Sequence, residues 1–156
     1  MANVYTQINI HSVFAVKGRH NLLPANIRPR VFEYISGLMK KNDLFPLAVN
    51  GWQDHVHVFF EIKPDISLSK AMKLIKANSS KWINDHSFVK GKFEWQRGYG
   101  SFSYSRSQRN GVIRYIMQQQ EHHRAKGKSF KKEYLDLLEG FGIKYDSRFL
   151  FDFLDE

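Results

Sequence analysis

The chain has 156 residues and a formal net charge of +9 at pH 7, with 24 Lys and Arg residues against 15 Asp and Glu residues. This length predicts one domain over residues 1–156, and the lack of any apolar run of about 18 residues excludes a membrane span. The chain has no cysteine, which excludes disulfides and thiolate metal sites and favours a cytoplasmic protein, while the charge favours a phosphate-bearing partner over a merely basic soluble domain.

Hydrophobic periodicity predicts the order strand, helix, strand, strand, helix, strand, helix, helix along the chain. The approximate ranges of these elements are 5–16, 27–42, 45–50, 54–61, 68–85, 90–104, 109–123 and 130–140. The first six follow the split β-α-β order of ferredoxin-like folds. We therefore expect an α+β protein in which an antiparallel sheet is flanked by helices, with two extra helices at the C-terminal end.

The fourth of these segments carries two histidines that lie two residues apart on a predicted strand. Because side chains alternate along a strand, His55, His57 and Phe59 share one face, and Val56 and Val58 share the other. The two histidine β carbons are about 7 Å apart, so both rings can converge on one cation. The alternative is a pair of ordinary histidines on a half-buried strand. His11 of the first strand is interpreted as a polar neighbour rather than a third ligand.

The seventh segment carries a candidate nucleophile and a candidate oxygen ligand on one helical face. Tyr115 and Gln119 are four residues apart. A tyrosine phenol can act as a nucleophile, and a glutamine carbonyl can bind a hard cation. Gln118 lies close to the same face, three residues from Tyr115, so the residues alone leave the choice of glutamine open. His122 lies on that face too, seven residues beyond Tyr115.

The histidine pair on a strand, followed by Tyr-x-x-x-Gln on a later helix, resembles the HUH single-tyrosine transposases of the 200/605 group of bacterial insertion sequences. The resemblance extends to Thr6–Lys17, Ile75–Trp82 and Glu121–Tyr145. It implies a metal-dependent transposase that cleaves and rejoins single-stranded DNA at hairpin ends. The implied catalytic intermediate is a 5′-phosphotyrosine at Tyr115.

The resemblance also implies a ligand set, a cofactor and partners. The family spacing of four residues favours Gln119 as the third ligand beside His55 and His57, with Mg²⁺ or Mn²⁺ as the cofactor. The implied assembly is a homodimer in which the tyrosine helix of one subunit completes the histidine site of the other. The candidate DNA-binding residues are Lys73, Lys76, Ser79, Ser80, Arg106 and Arg109, and for the lysines and serines of the fifth segment a solvated cationic face is an equal alternative.

Three other functions remain open at this stage. The ending Glu121 to Tyr134 resembles the branch associated with repetitive extragenic palindromes, which suggests a domesticated protein that binds or processes palindrome hairpins with little or no transposition. Replication initiators and relaxases share the histidine motif, but they usually have longer chains and a different tyrosine placement. A structural zinc protein would usually bring cysteines or a closed set of four ligands.

Overall fold

The computed structural model describes residues 3–154, and none of the helices in that range is long and apolar enough to cross a membrane. Four strands and four α-helices make up the fold. They are β1 (Asn9–Ala15), α1 (Arg28–Lys41), β2 (Phe45–Gly51), β3 (His55–Glu61), α2 (Leu68–Asp85), β4 (Gly100–Tyr104), α3 (Arg109–Met117) and α4 (Phe130–Gly140). A π-helical segment, Glu121–Ala125, connects α3 to α4.

The strands form one antiparallel sheet in the order β2-β3-β1-β4. The first and third strands are central, and their register places Val13 opposite His57 and His11 opposite Phe59. The two strands joined through α1 are therefore separated by β3, which is the split arrangement expected from the element order. The predicted α+β class and antiparallel sheet are confirmed.

The two faces of the sheet bury different sets of side chains. One face, with Phe14, Val56 and Val58, packs against α1 and α2 in the main hydrophobic core. The opposite face carries His11, His55 and His57, and α3, α4 and the C-terminal tail cover it. This division follows the alternation of side chains along β1 and β3. Because helices cover both faces, the histidines are shielded from solvent.

The fourth strand is much shorter than the predicted range 90–104. It spans Gly100–Tyr104 only, and the preceding residues form an irregular segment with a single bridge between Val16 and Trp95. Gly91 and Gly98 adopt φ angles of +82° and +83°, which a continuous strand cannot accommodate. The glycines of the range 90–104 indicate a bulge or break in the predicted strand; the structure confirms the break, and the prediction of a strand was wrong for the ten residues before Gly100.

The C-terminal helix begins after its N-cap, Ser129, whose side chain accepts a hydrogen bond from the Lys132 amide. Its apolar side docks on the second face of the sheet through Phe130, Tyr134 and Leu138. The tail then folds back, and Phe151 and Phe153 pack in the same cluster. The apolar residues of the tail, 146–156, favour docking on the body or on another subunit, and the tail docks on the body up to residue 154; its last two positions lie outside the described residues.

Gly51, the last residue of β2, has no room for a side chain, so its substitution should reduce stability. A β carbon there would collide with the carbonyl oxygen of His55 and lie 3.0 Å from the Cα atom of Val56. Gly51→Ala should therefore lower the free energy of unfolding by about 1–3 kcal/mol, measured by chemical denaturation. Gly37→Ala is the matched control, because nothing lies within 4 Å of its added carbon and α1 should gain helix propensity. Equal stability of the two variants would contradict the prediction.

Candidate metal centre and tyrosine nucleophile

The two histidines of β3 are oriented by hydrogen bonds at their Nδ1 atoms. His55 Nδ1 lies 2.7 Å from Asp54 Oδ1, and His57 Nδ1 lies 2.7 Å from His11 Nε2. Both rings are fully buried. Their Nε2 atoms consequently point the same way and lie 3.1 Å and 3.3 Å from one oxygen, Glu133 Oε1. The strand thus presents two nitrogens to a single point, as the spacing predicts.

The carboxylate at that point, Glu133, was not among the predicted site residues. It projects from α4, is 1% exposed and contacts groups from three other elements. His123 Nε2 lies 3.0 Å from Glu133 Oε1, and Gln119 Nε2 donates to Glu133 Oε2 over 2.8 Å. Ligand atoms of His55, His57 and Glu133 all lie within 4.8 Å of one another. These three residues form a potential metal-binding group.

The tyrosine and glutamine of the second motif meet the same carboxylate. The hydroxyl of Tyr115 donates a short hydrogen bond to Glu133 Oε2, and its ring centroid is 5.9 Å from that of His57. Gln119 is buried, with Oε1 2.9 Å from His55 Nε2, whereas Gln118 is exposed. The site is therefore assembled within one chain. The ligand role of Gln119 stays a prediction, and its position matches the predicted spacing.

Burial and charge have opposing effects on the pKa values of these groups. Burial lowers the pKa of His55, but the hydrogen bonds and charges of Asp54 and Glu133 outweigh it and raise the pKa to about 10. Burial also lowers the pKa of His57. Burial acts to raise the pKa of Glu133, yet the surrounding histidines hold it well below its usual value. Burial and the Glu133 charge raise the pKa of Tyr115, which favours the neutral phenol.

The donor set fits a divalent cation. It offers two imidazole nitrogens, one carboxylate oxygen and, from Gln119, one amide oxygen, a mixture suited to first-row metals and acceptable to Mg²⁺. Asp54 and Glu133 supply two negative charges, which the proton on His55 balances in part. Metal binding to such a site displaces the proton from the ligand nitrogen. The Asp54–His55 pair has the arrangement of a carboxylate–histidine–metal triad.

His11 lies beside the centre rather than in it, as the sequence interpretation proposed. Its Nε2 pairs with His57 Nδ1, the two rings stack with centroids 5.0 Å apart, and burial holds the pKa of His11 well below its usual value. Its Nδ1 atom is buried and has no hydrogen-bond partner among residues 3–154. Only one proton can lie between His11 Nε2 and His57 Nδ1. The pairing with His11 therefore occupies Nδ1 of His57 and leaves its Nε2 to face the proposed cation site.

The predicted DNA-binding residues lie in two separate places. Lys73 is exposed on α2, whereas Lys76 donates to the carbonyls of Gln96 and Gly98 over 2.8 Å and 2.7 Å. Ser79 is fully buried, and its hydroxyl accepts the Trp95 indole N–H. The DNA contacts assigned to these residues stay predictions. Of the two lysines, Lys73 is the exposed one, and no ion pair joins it to the residues in the range 3–154.

The other three candidates differ in exposure. Ser80 is half-buried, and its hydroxyl donates to the Ala77 carbonyl. Arg106 is exposed just before α3, while Arg109 at the start of that helix lies 3.4 Å from Glu61. The two arginines are on the tyrosine helix side of the sheet, and α2 is on the other side.

A signal for Glu133 was present in the sequence. It is three residues after Phe130 and four before Leu137, so it occupies the apolar stripe of α4 rather than the polar side. A carboxylate at such a position is rarely buried without a partner. His123 has no comparable signal, because the π-helical segment that turns it inward cannot be anticipated from helical spacing.

Comparisons with known proteins agree with this geometry. The family model described as "Transposase IS200 like" matches residues 4–119. A protein from Deinococcus radiodurans R1 assigned as a transposase shares 19% identity, with a TM-score of 0.60 over 76% of this chain and 95% of its own. A REP-associated tyrosine transposase bound to a REP hairpin shares 12% identity, with a TM-score of 0.58 over 80% of this chain and 73% of its own.

The structural likenesses establish the fold, and the family match covers the sheet, the histidine pair and the Tyr115–Gln119 motif. A search of curated proteins gave no match. The match ends at residue 119 and so excludes α4 with Glu133. The family match nevertheless spans most of the chain. The chain therefore belongs to the IS200-like transposase family, whose members carry out DNA transposition.

Proposed function

We propose that this chain is a metal-dependent single-stranded DNA transposase that uses Tyr115 as its nucleophile. The observation that carries the proposal is the convergence of the Tyr115 hydroxyl and both histidine Nε2 atoms on Glu133. A nucleophile and a charge-stabilising site beside one another are what phosphodiester cleavage requires. The family match supports the reaction class.

The cleavage step exchanges one phosphate ester for another. The Tyr115 hydroxyl gives up its proton and its oxygen bonds to phosphorus, while the bond from phosphorus to the 3′ oxygen breaks and the leaving 3′ oxygen takes up a proton. The product is a 5′-phosphotyrosine and a free 3′-hydroxyl. Rejoining is the reverse exchange with a different 3′-hydroxyl, and a phenol of ordinary pKa near 10 is a good leaving group. No ATP is needed, because the ester bond is conserved.

His55, His57 and Glu133, with Gln119, would hold the divalent cation, which the resemblance implies is Mg²⁺ or Mn²⁺. When bound, such a cation draws charge from a phosphate oxygen and orients the scissile bond. The chain itself fixes the donors in place. Phe130 stacks on the His55 ring with centroids 4.0 Å apart and keeps water from that side.

We also propose that the substrate is single-stranded DNA bearing hairpins. The support is the REP hairpin named for one structural relative and the net charge of +9. We retain the proposal of a homodimer from the family resemblance. Because Tyr115 and His57 already meet within one chain, exchange of the tyrosine helix is not needed to assemble the site.

A second candidate function is binding or processing of palindrome hairpins with little transposition. The observation favouring it is the complete burial of the metal centre beneath α4 and the tail. A covalent-adduct assay separates the two candidates. The protein is mixed with labelled single-stranded DNA from the ends flanking its gene, with Mn²⁺ or with EDTA, and run on a denaturing gel. A metal-dependent adduct supports the transposase, whereas hairpin binding without an adduct supports the second candidate.

Lys73 provides a test of which face holds the DNA backbone. Lys73→Ala should weaken single-stranded DNA binding and reduce the slope of log affinity against log salt by about 0.7, the value for one phosphate contact. Fluorescence anisotropy at several salt concentrations measures this slope. Lys40 is exposed on α1, so Lys40→Ala is the charge-matched control. An unchanged slope for Lys73→Ala would show that Lys73 makes no phosphate contact.

Lys76 is a less direct probe of the same contact. Its ammonium group bonds two backbone carbonyls, and burial lowers its pKa. Lys76→Ala therefore removes two hydrogen bonds as well as a charge, so its effect on binding must be measured beside its effect on unfolding.

A further inference from the structure

A cavity of about 840 Å³ lies next to the metal centre and has no part in the chemistry above. This volume is within the range of ligand-binding sites. Its walls come from the first turns of α1, the end of β2 and the residues that follow α3. The lining residues that matter here are Arg28, Asn50, Trp52, Gln120 and Arg124.

Three planar side chains connect this cavity to the metal centre. The Arg28 guanidinium lies over the Trp52 indole, 4.5 Å from its centroid. Trp52 in turn stacks on His123, with centroids 6.1 Å apart and planes inclined by 23°. His123 Nε2 is 3.0 Å from both Gln119 Oε1 and Glu133 Oε1. The cavity is therefore linked through Trp52 and His123 to the groups that would hold the cation.

The polar groups of the cavity suit a nucleotide. Two arginines line it against one acid, Glu33, so the wall has a net positive charge. Asn50 and Gln120 form a reciprocal amide pair with bonds of 3.2 Å and 3.1 Å. Asn50 also donates to the Ile116 carbonyl, which fixes the pair. Within residues 3–154, Gln120 keeps one amide N–H and one oxygen lone pair for a base edge.

We propose that this cavity binds one unpaired nucleotide of the DNA strand held at the metal centre. The base stacks on the face of the Arg28 guanidinium opposite Trp52, as bases do on arginine planes. Its phosphate pairs with the exposed Arg124, and its edge meets Gln120. This inference rests on the proposed action on single-stranded DNA, and it adds a base-reading subsite to that action.

An abasic-site scan tests the proposal. The probe is a labelled single strand from the DNA flanking the gene, in versions that each lack one base, and binding is measured by anisotropy in EDTA so that no cleavage occurs. For the unmodified protein, one abasic position should weaken binding about tenfold, because one stacked base is lost. Arg28→Lys keeps the positive charge but removes the planar guanidinium, so this variant should bind intact and abasic strands equally. Arg124→Ala should weaken both strands to the same extent.

Lys41→Ala removes a charge from the opposite end of α1 and should leave the abasic penalty unchanged. Thermal unfolding of each variant shows that it is folded. Gln120 is exposed, and Gln120→Ala provides a second probe, which should reduce the loss of affinity at the abasic position. The proposal is overturned if no abasic position weakens binding, or if Arg28→Lys and Gln120→Ala keep the full penalty. An adduct formed by the unmodified protein in either of these cases would show that only the subsite is wrong. The lack of any adduct would instead reject the proposed function.

Discussion

Tyr115→Phe is expected to form no covalent adduct with single-stranded DNA under conditions in which the unmodified chain forms one with Mn²⁺. The substitution removes the oxygen atom that would bond to phosphorus. It leaves the ring to pack against His57 and His122, whose centroids are 5.9 Å and 5.0 Å away. Loss of the nucleophile should lower cleavage by about 10⁴-fold or more. A denaturing gel with labelled DNA measures it.

Two further measurements show whether loss of the adduct reflects loss of the nucleophile or loss of the metal site. Tyr115→Phe should retain the Mn²⁺ affinity of the unmodified chain, because all nitrogen and carboxylate donors remain, whereas His57→Ala should lose both the adduct and most of that affinity. Isothermal titration calorimetry gives the affinities. A surviving adduct in Tyr115→Phe would identify a different nucleophile. Tyr104, which lines the same cleft, would then be the first residue to substitute.

The features of this site that depend on local periodicity could be predicted from the sequence. Alternation along β3 placed His55 and His57 on one face, and the spacing of four residues brought Tyr115 of α3 and Gln119, two residues beyond its end, to one carboxylate. Both predictions need only the geometry of one strand or one helix. The order of elements was sufficient for the sheet topology, because connection rules leave few alternatives for a split β-α-β chain.

The features that depend on tertiary contacts could not be predicted in this way. Glu133 reaches the centre only because α4 reverses over the second face of the sheet, and no local pattern fixes that docking angle. The family resemblance makes Ser79 a candidate DNA contact, and no local pattern shows that its hydroxyl accepts a hydrogen bond from Trp95 in the core. The late start of β4, at Gly100, depends on glycine φ angles that composition suggests but does not determine.

Glu133→Gln is expected to weaken Mn²⁺ binding by at least about tenfold and to destabilise the metal-free protein. The substitution keeps the shape of the side chain but removes the charge that faces three buried histidines. The proton on His55 then loses one of its two carboxylate partners, and breaking such a buried pair costs about 3–5 kcal/mol. Calorimetry measures the metal affinity, and denaturant unfolding in EDTA measures the free energy of unfolding.

Asp136→Asn is the matched control, because Asp136 lies on the same helix but pairs with Lys132 and Lys128 at the surface. It should change neither quantity appreciably. Unchanged or tighter Mn²⁺ binding by Glu133→Gln, with more adduct, would contradict the prediction. The carboxylate would then compete with the cation, and the ligand set would reduce to His55, His57 and Gln119. Because Glu133 lies beyond the residues that the family model matches, this experiment decides whether the C-terminal helix completes the metal site or closes it.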